Sequence, residues 1–132
     1  MFMNRRLLLK KALLLLPVTL SGPVFAGVKS RRYRLNRFMV AGFQYYDGPQ
    51  LINRLQPGVL LDLVAESDNQ HDYYAVRIEW QGRKLGYVPR SDNRHLSRLL
   101  RQDAKLRGEV LESAPQAVVW GMLKVGVGLE VG

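Results

Sequence analysis

A strand–turn–strand pattern near the middle of the chain constrains the fold more than any other feature of the sequence. Residues 75–80 alternate apolar and polar side chains, and residues 84–88 form a second β-leaning run after the short segment Gln81-Gly82-Arg83. Alternation with a period of two is typical of a β-strand. Two such strands joined by a short, glycine-bearing segment form a hairpin. The pattern therefore predicts an antiparallel β-hairpin at this point.

Further runs predict strands on both sides of the hairpin. Residues 38–43 are compactly apolar, residues 60–66 alternate apolar and polar side chains, and residues 106–111 and 117–131 are rich in valine and glycine. Short strands in a chain of 132 residues bury their faces and edges most easily by closing on themselves. The sequence predicts a mainly β fold, a small six-stranded barrel of the OB or SH3 kind.

Two short helices are predicted between the strands. Leu51, Ile52 and Leu55 recur at helical spacing after Pro49, which is a favoured residue at the start of a helix. A second helix runs to about residue 103, with its first amides capped by the side-chain oxygens of Ser91-Asp92-Asn93.

Residues 1–26 have the layout of a signal peptide. Arg5, Arg6, Lys10 and Lys11 precede an apolar run, the segment contains no acid, and it ends on Val24-Phe25-Ala26, with small side chains where a signal peptidase requires them. Cleavage is expected after Ala26, with export to the periplasm. Residues 4–10 are similar to a twin-arginine export signal, and because Sec signals also contain arginine pairs, both routes stay open.

An uncleaved anchor in the inner membrane is the alternative interpretation of this segment. A spanning helix needs about 20 apolar residues, whereas Pro17, Gly22 and Pro23 interrupt the run. A removable signal is therefore favoured, and no stable membrane span is expected after its removal.

The charge of the chain indicates an anionic partner, with one correction. The net charge is +9, and removal of the signal lowers it to about +5. Much of the remainder lies in residues 29–37, so a basic flexible arm is predicted at residues 27–36 and a folded domain at residues 37–132. The chain has no cysteine, which excludes disulfides and thiolate metal sites.

Three sequence blocks, in order and spacing, resemble the HIRAN family. They read VAGFQYYDG at residues 40–48, LVAESDNQHDYYAV at residues 63–76 and GYVPR at residues 86–90. The resemblance implies a small six-stranded β-barrel of the HIRAN type, related to oligonucleotide-binding barrels and without catalytic activity. For the family members found in DNA repair proteins, the resemblance implies a pocket that receives the 3′ end of single-stranded DNA. In that pocket aromatic rings stack on bases and the terminal hydroxyl is hydrogen-bonded.

Carried over by position, the resemblance makes Tyr45 a stacking platform and Asp72 the acceptor of a terminal hydroxyl. A base stacked on an aromatic ring contributes about 1–3 kcal/mol, and a carboxylate is a natural hydroxyl acceptor. This chain departs from the family at Gln44, where end-binding members carry arginine, and at His71, where they carry tyrosine. The candidate binding residues are Gln44, Tyr45, Tyr46, Asn69, His71, Asp72 and Arg90.

Each of these residues also has a structural interpretation. The side-chain oxygens of Asn69 and Asp72 lie in a tight connection, where such oxygens commonly accept bonds from backbone amides. Tyr46 is expected to pack in the barrel wall with its hydroxyl at the rim. Arg90 either contacts a phosphate or lies in solvent.

Catalysis and metal binding are not expected. His71, Asp72, Asp68 and His95 offer too few converging ligands for zinc, and no phosphate loop or nucleophile motif is present. The sequence predicts a binding module that needs no cofactor. Two hypotheses stay open for its partner: an end of single-stranded DNA, or an envelope protein, glycan or small polar ligand bound by the same pocket.

Overall fold

Six strands and two short helices make up residues 31–118 and 121–131, the part of the chain that the computed structural model describes. The strands are β1 (Arg31–Met39), β2 (Leu60–Ala65), β3 (Val76–Trp80), β4 (Arg83–Tyr87), β5 (Leu106–Ser113) and β6 (Leu123–Val131). The helices are α1 (Gly48–Leu51) and α2 (Arg90–Arg101), and 3-10 turns cover Phe43–Tyr45 and Ile52–Arg54. The predicted mainly β class with six strands and two short helices is confirmed.

All strands belong to one antiparallel sheet, in the order β1-β6-β5-β2-β3-β4. The predicted hairpin is the pair β3–β4. Its connection is Gln81-Gly82, and both residues have positive φ angles, 49° and 77°. Two left-handed residues in a row match the strand twist of a two-residue hairpin, which explains the glycine between the two runs.

A single bridge joins the two ends of the strand order. The amide of Ala41 donates to the carbonyl of Tyr87 at 2.8 Å, and the amide of Tyr87 donates back to Ala41 at 2.9 Å. Ala41 follows β1 and Tyr87 ends β4, so the outermost strands of the sheet meet at this point, as a barrel requires. The close approach depends on Gly86, which has a φ of 148° and leaves no room for a side chain beside the Ala41 carbonyl.

Buried residues of the strands and of both helices form one core. Val76 and Ile78 of β3 and Val125 and Val127 of β6 are fully buried, and Leu96 of helix α2 is buried as well. Alternate residues along each strand point inward. The apolar positions on which the strand predictions rest are therefore the residues that hold the sheet together.

The basic segment before the core is a strand, which corrects the prediction of a flexible arm for residues 31–36. These residues belong to β1 and pair with β6 from Arg31 opposite Val131 to Met39 opposite Lys124. Ladder hydrogen bonds with β6 order the segment although its side chains are mostly polar. The first strand accordingly ends at Met39, and Phe43 lies in a 3-10 turn.

Two further details differ from prediction. Helix α2 begins at Arg90, after Pro89, and no side chain caps it; the Asn93 amide is used elsewhere, in a bond to Asp72. Residues 117, 118, 121 and 122 lie outside strand β6. The predicted signal peptide at residues 1–26 and residues 27–30 of the arm lie outside the described residues, and the export prediction stays a prediction.

Candidate nucleic-acid interface

A cavity of about 320 Å³ opens where three connections meet. These are the segment after β1, the loop of residues 66–75 between β2 and β3, and the junction of β4 with helix α2. The cavity is lined by Ala41, Tyr46, Asn69, His71, Asp72, Ala75, Tyr87, Val88 and Arg90. A volume of this size is at the lower end of the range found for small-molecule sites.

Asn69 shapes the loop of residues 66–75. Its side-chain oxygen accepts hydrogen bonds from the amides of His71 (2.8 Å) and Asp72 (3.1 Å). Its amide nitrogen donates to the Glu66 carboxylate at 3.0 Å. The structural role expected for an asparagine in a tight connection is therefore present, and it turns the next residues toward the cavity.

Asp72 is held by its neighbours but retains acceptor capacity. The Tyr74 amide donates to Oδ1 at 2.9 Å, and the Asn93 side chain donates to Oδ2 at 2.8 Å. Arg90 Nε lies 3.6 Å from the same Oδ2. A carboxylate offers about four lone-pair positions, and its side chain is still 19% exposed beside the cavity. Asp72 is thus fixed in place by hydrogen bonds, and its carboxylate can accept a further one.

Tyr46 and Tyr87 form the aromatic wall of the cavity. Their rings meet edge to face, with centroids 6.0 Å apart. The ammonium group of Lys84 lies 4.1 Å from the centroid of the Tyr46 ring and 4.5 Å from that of Tyr87. It also donates to the Tyr87 hydroxyl at 2.7 Å. The cation fixes both rings, which is consistent with the predicted wall packing of Tyr46 and also places that ring at the cavity.

A polar network behind the wall ties Tyr87 to the loop. The Tyr87 hydroxyl donates to Glu66 Oε1 at 2.9 Å, and Arg77 Nη1 donates to Glu66 Oε2 at 2.5 Å. Burial alone would raise the pKa of Glu66, but the hydrogen bonds from Arg77, Asn69 and Tyr87 outweigh it, and the pKa lies below its ordinary value. Glu66 is therefore a charged anchor shared by the cavity wall and the loop.

The cation and the phenol of the wall are both shifted in pKa. Burial opposes the charge of Lys84, yet its hydrogen bond to Tyr87 and its electrostatic attraction to Tyr87, Tyr46 and Glu66 together outweigh burial and raise the Lys84 pKa. Burial raises the pKa of the Tyr87 hydroxyl, and its bond to Glu66 acts in the same direction. At neutral pH the wall therefore carries an ammonium and a neutral phenol.

The structure brings five of the seven candidate residues to the cavity. Tyr46, Asn69, His71, Asp72 and Arg90 line it, whereas Gln44 and Tyr45 do not. The Tyr45 ring is 75% exposed, at the end of the 3-10 turn whose first residue, Phe43, is buried. Of the two adjacent tyrosines, Tyr46 is the ring at the cavity and Tyr45 projects into solvent beside it.

Several supporting residues were not among the candidates. Tyr87 and Val88 line the cavity and lie within the third sequence block, so their position in that block was the available signal. Asn93 donates to Asp72, which lies 21 positions away in the chain. Lys84 holds the tyrosine rings and donates to the Tyr87 hydroxyl. No local pattern in the sequence indicates the contact of Asn93 with Asp72 or that of Lys84 with Tyr46.

Within residues 31–118 and 121–131, no group of three or more histidine, aspartate or glutamate residues is placed to hold a metal ion. His71 lies at the cavity, whereas His95 Nε2 is bonded to Asn36 Oδ1 at 2.8 Å. In the same described ranges, none of the helices has the length and apolar character needed to cross a membrane.

Comparison with known proteins identifies relatives at the level of family and fold. A sequence model of the HIRAN domain matches residues 33–130. A protein from Lactobacillus plantarum of solved structure is 25% identical, with a TM-score of 0.68, and the match covers 79% of this chain and 100% of that one. The HIRAN domain of human HLTF is 18% identical, with a TM-score of 0.57, over 77% of this chain and 75% of that one. No curated protein matches the chain.

Proposed function

The chain belongs to the HIRAN family, whose domain is generally a DNA-binding module and is not catalytic by itself, and on that premise we propose that the cavity receives the 3′-hydroxyl end of a single DNA strand. The terminal sugar hydroxyl would donate to Asp72, and the terminal base would lie against the aromatic wall. Arg90 would meet the adjacent phosphate. No bond is made or broken in this scheme.

The fixed carboxylate of Asp72 is the observation that carries the proposal. Tyr74 and Asn93, which do not line the cavity, and Arg90 at its edge hold the carboxylate in place, so its free acceptor positions need no reorganisation when a hydroxyl arrives. A preorganised acceptor binds a donor more tightly because the ordering cost has already been met during folding. The hydroxyl at the end of a strand is a donor of the required kind.

The other walls of the cavity suit the remainder of a terminal nucleotide. The rings of Tyr46 and Tyr87 offer a base an aromatic surface, and Tyr45, at 75% exposure, lies beside them on the neighbouring turn. Gln44 carries no charge, so the cation nearest the cavity is Arg90, whose side chain is 74% exposed. The departures at Gln44 and His71 thus move the phosphate contact onto Arg90 and leave the imidazole to cover part of a base.

Fluorescence anisotropy with single strands that end in a 3′ hydroxyl or a 3′ phosphate tests the proposal. We expect the protein to bind the hydroxyl-ended strand more tightly, because a phosphate cannot donate to Asp72 and is repelled by it. Asp72→Ala should weaken binding of the hydroxyl-ended strand about tenfold, in line with the loss of one hydrogen bond to a charged group. It should not weaken binding of the phosphate-ended strand, because the substitution removes a charge that repels the phosphate.

Asp68→Ala is the matched control, since Asp68 is an exposed acid in the same loop that does not line the cavity. It should bind both strands as the wild type does. Equal binding of the two strands by the wild type, with a signal that disappears in moderate salt, would mean that charge alone is acting and would overturn end recognition.

A further inference from the structure

Helix α2 leads away from the cavity with arginines on one face. Arg90, Arg94 and Arg98 follow one another at intervals of four residues, and Arg90 lines the cavity. Residues four apart lie on the same side of a helix, about 6 Å apart along its axis. These three residues, here called the arginine face, therefore form a row of positive charge that begins at the proposed binding site.

One aromatic ring, that of Tyr74, orders the outer part of this row. The guanidinium carbons of Arg94 and Arg98 lie 4.9 and 5.6 Å from the centroid of the Tyr74 ring. Arg98 also approaches the Tyr74 hydroxyl at the long distance of 3.5 Å. A guanidinium that lies on a ring is held without using its N–H donors. Both arginines are thus positioned by Tyr74 while most of their donors stay available.

The charge of the outer arginines is not neutralised within the described residues. Arg32, Arg77, Arg83 and Arg107 each form an ion pair with a carboxylate. Across residues 31–118 and 121–131, Arg94 and Arg98 form no such pair, and both are exposed. Positive charge that is ordered, exposed and without an acidic partner fits an anionic ligand.

Arg101, the next arginine of the helix, has a different role. Its guanidinium stacks on the Tyr73 ring, 3.8 Å from the centroid, and donates to the Tyr73 carbonyl. It is half-buried, and in the described part of the chain its Nε is buried without a hydrogen-bond partner. Arg101 therefore fastens the end of helix α2 to the loop of residues 66–75 and lies outside the arginine face.

We infer that the arginine face binds the phosphates of the strand that leads to the cavity, so that the protein contacts internal nucleotides as well as the terminal one. This inference rests on the proposed function, because a 3′ end in the cavity places the preceding phosphates next to Arg90. Regularly spaced cations in single file match the regularly spaced phosphates of an extended strand. A groove that tracks the backbone beside stacking rings is the usual design of single-strand binding sites.

DNA strands of two lengths distinguish binding by the arginine face from binding in the cavity. Anisotropy is measured with hydroxyl-ended strands of two and of about 12 nucleotides, because the one internal phosphate of a dinucleotide reaches Arg90 alone, whereas the longer strand covers known site sizes. The wild type should bind the longer strand more tightly. The double variant Arg94→Gln/Arg98→Gln should bind the longer strand on the order of tenfold more weakly, with a salt slope smaller by about 1.4 for two lost phosphate contacts. Its affinity for the short strand should be unchanged.

The double variant Arg54→Gln/Lys105→Gln is the matched control. It removes the same charge from two exposed residues that form no ion pair among the described residues, and Arg54 lies over Trp80, at the end of β3 away from the cavity. Equal wild-type affinity for both lengths, or an equal loss in the control, would overturn the inference. In either case the hydroxyl preference of the short strand would still report on the cavity, so failure of end binding is recognised separately.

Discussion

The two halves of the sheet use their charged residues in different ways. In the framework half, strands β1, β6 and β5, charges pair across the outer face: Arg32 with Glu109 (3.4 Å) and Glu130 (3.1 Å), and Lys124 with Glu112 (3.4 Å). These pairs are exposed, and exposed pairs contribute little to stability. The ladder of β1, β6 and β5 and its buried valines hold this half together.

In the cavity half, which comprises strands β2, β3 and β4, the polar groups form a network that lies behind the cavity wall. Glu66 is shared by Arg77, Tyr87 and Asn69, which belong to two strands and a loop. The bridge between Ala41 and Tyr87 joins the segment after β1 to the end of β4 at the same place. We therefore expect the framework half to stay intact without its polar side chains, whereas the geometry of the cavity should depend on them.

The largest expected effect concerns the bridge. A Cβ at Gly86 would lie 2.5 Å from the Ala41 carbonyl oxygen, at a φ of 148°. Gly86→Ala should therefore reduce the free energy of unfolding by about 3 kcal/mol, through backbone strain and a lost bridge. Chemical denaturation measures this. The framework counterpart is Gly126→Ala, where the nearest atoms belong to the movable end of the Arg34 side chain, at 2.9 Å. Gly126→Ala should reduce the free energy of unfolding by well under half as much. Equal losses in the two variants would contradict the expected difference between the two halves.

Glu66→Gln should have the next largest effect. Its carboxylate accepts from three donors, and an amide nitrogen in place of one oxygen would face a donor and leave it unsatisfied. We expect a loss of about 2 kcal/mol in unfolding free energy, together with weaker binding of hydroxyl-ended strands because the loop is released. Glu109→Gln in the framework half should cost about 0.5 kcal/mol or less. Denaturant titrations of both variants decide whether the two halves differ as stated.

The smallest effect is a dependence on pH. The folded-state pKa of Glu66 is lowered, so its contribution to stability is complete above the unfolded-state value of about 4.3 and is lost as the pH falls through the folded-state pKa. The free energy of unfolding should therefore fall in acid below that value, and it should fall less steeply in Glu66→Gln. Parallel acid profiles for the wild type and this variant would show that Glu66 does not carry the dependence.

The amino-acid sequence predicted the fold well wherever the signal was local. Alternation and the Gln81-Gly82 turn predicted the β3–β4 hairpin, and the three sequence blocks predicted the family that the match over residues 33–130 confirms. The flexible arm was wrong for residues 31–36, because the order of β1 comes from β6, almost a hundred residues later in the chain. A strand made mostly of polar residues has little local signal of its own.

The candidate site shows the same division. The sequence placed Asn69, His71 and Asp72 together because they are neighbours in one loop, and the structure finds all three at the cavity. The resemblance gave the stacking role to Tyr45, whereas Tyr46 is the ring that lines the cavity. Adjacent aromatic residues differ in the direction that the backbone of a turn gives them, which the sequence does not specify.

By itself, then, the sequence determined the strand periodicity, the hairpin turn and the family, since each of these depends on residues that are close to one another in the chain. Only the tertiary structure decided that Asn93 holds Asp72, that Lys84 lies against the Tyr46 ring and that the helix carrying the arginine face begins at the cavity. Such contacts depend on how the elements pack, because hydrogen bonds and ring contacts act over a few ångströms between residues that are far apart in sequence.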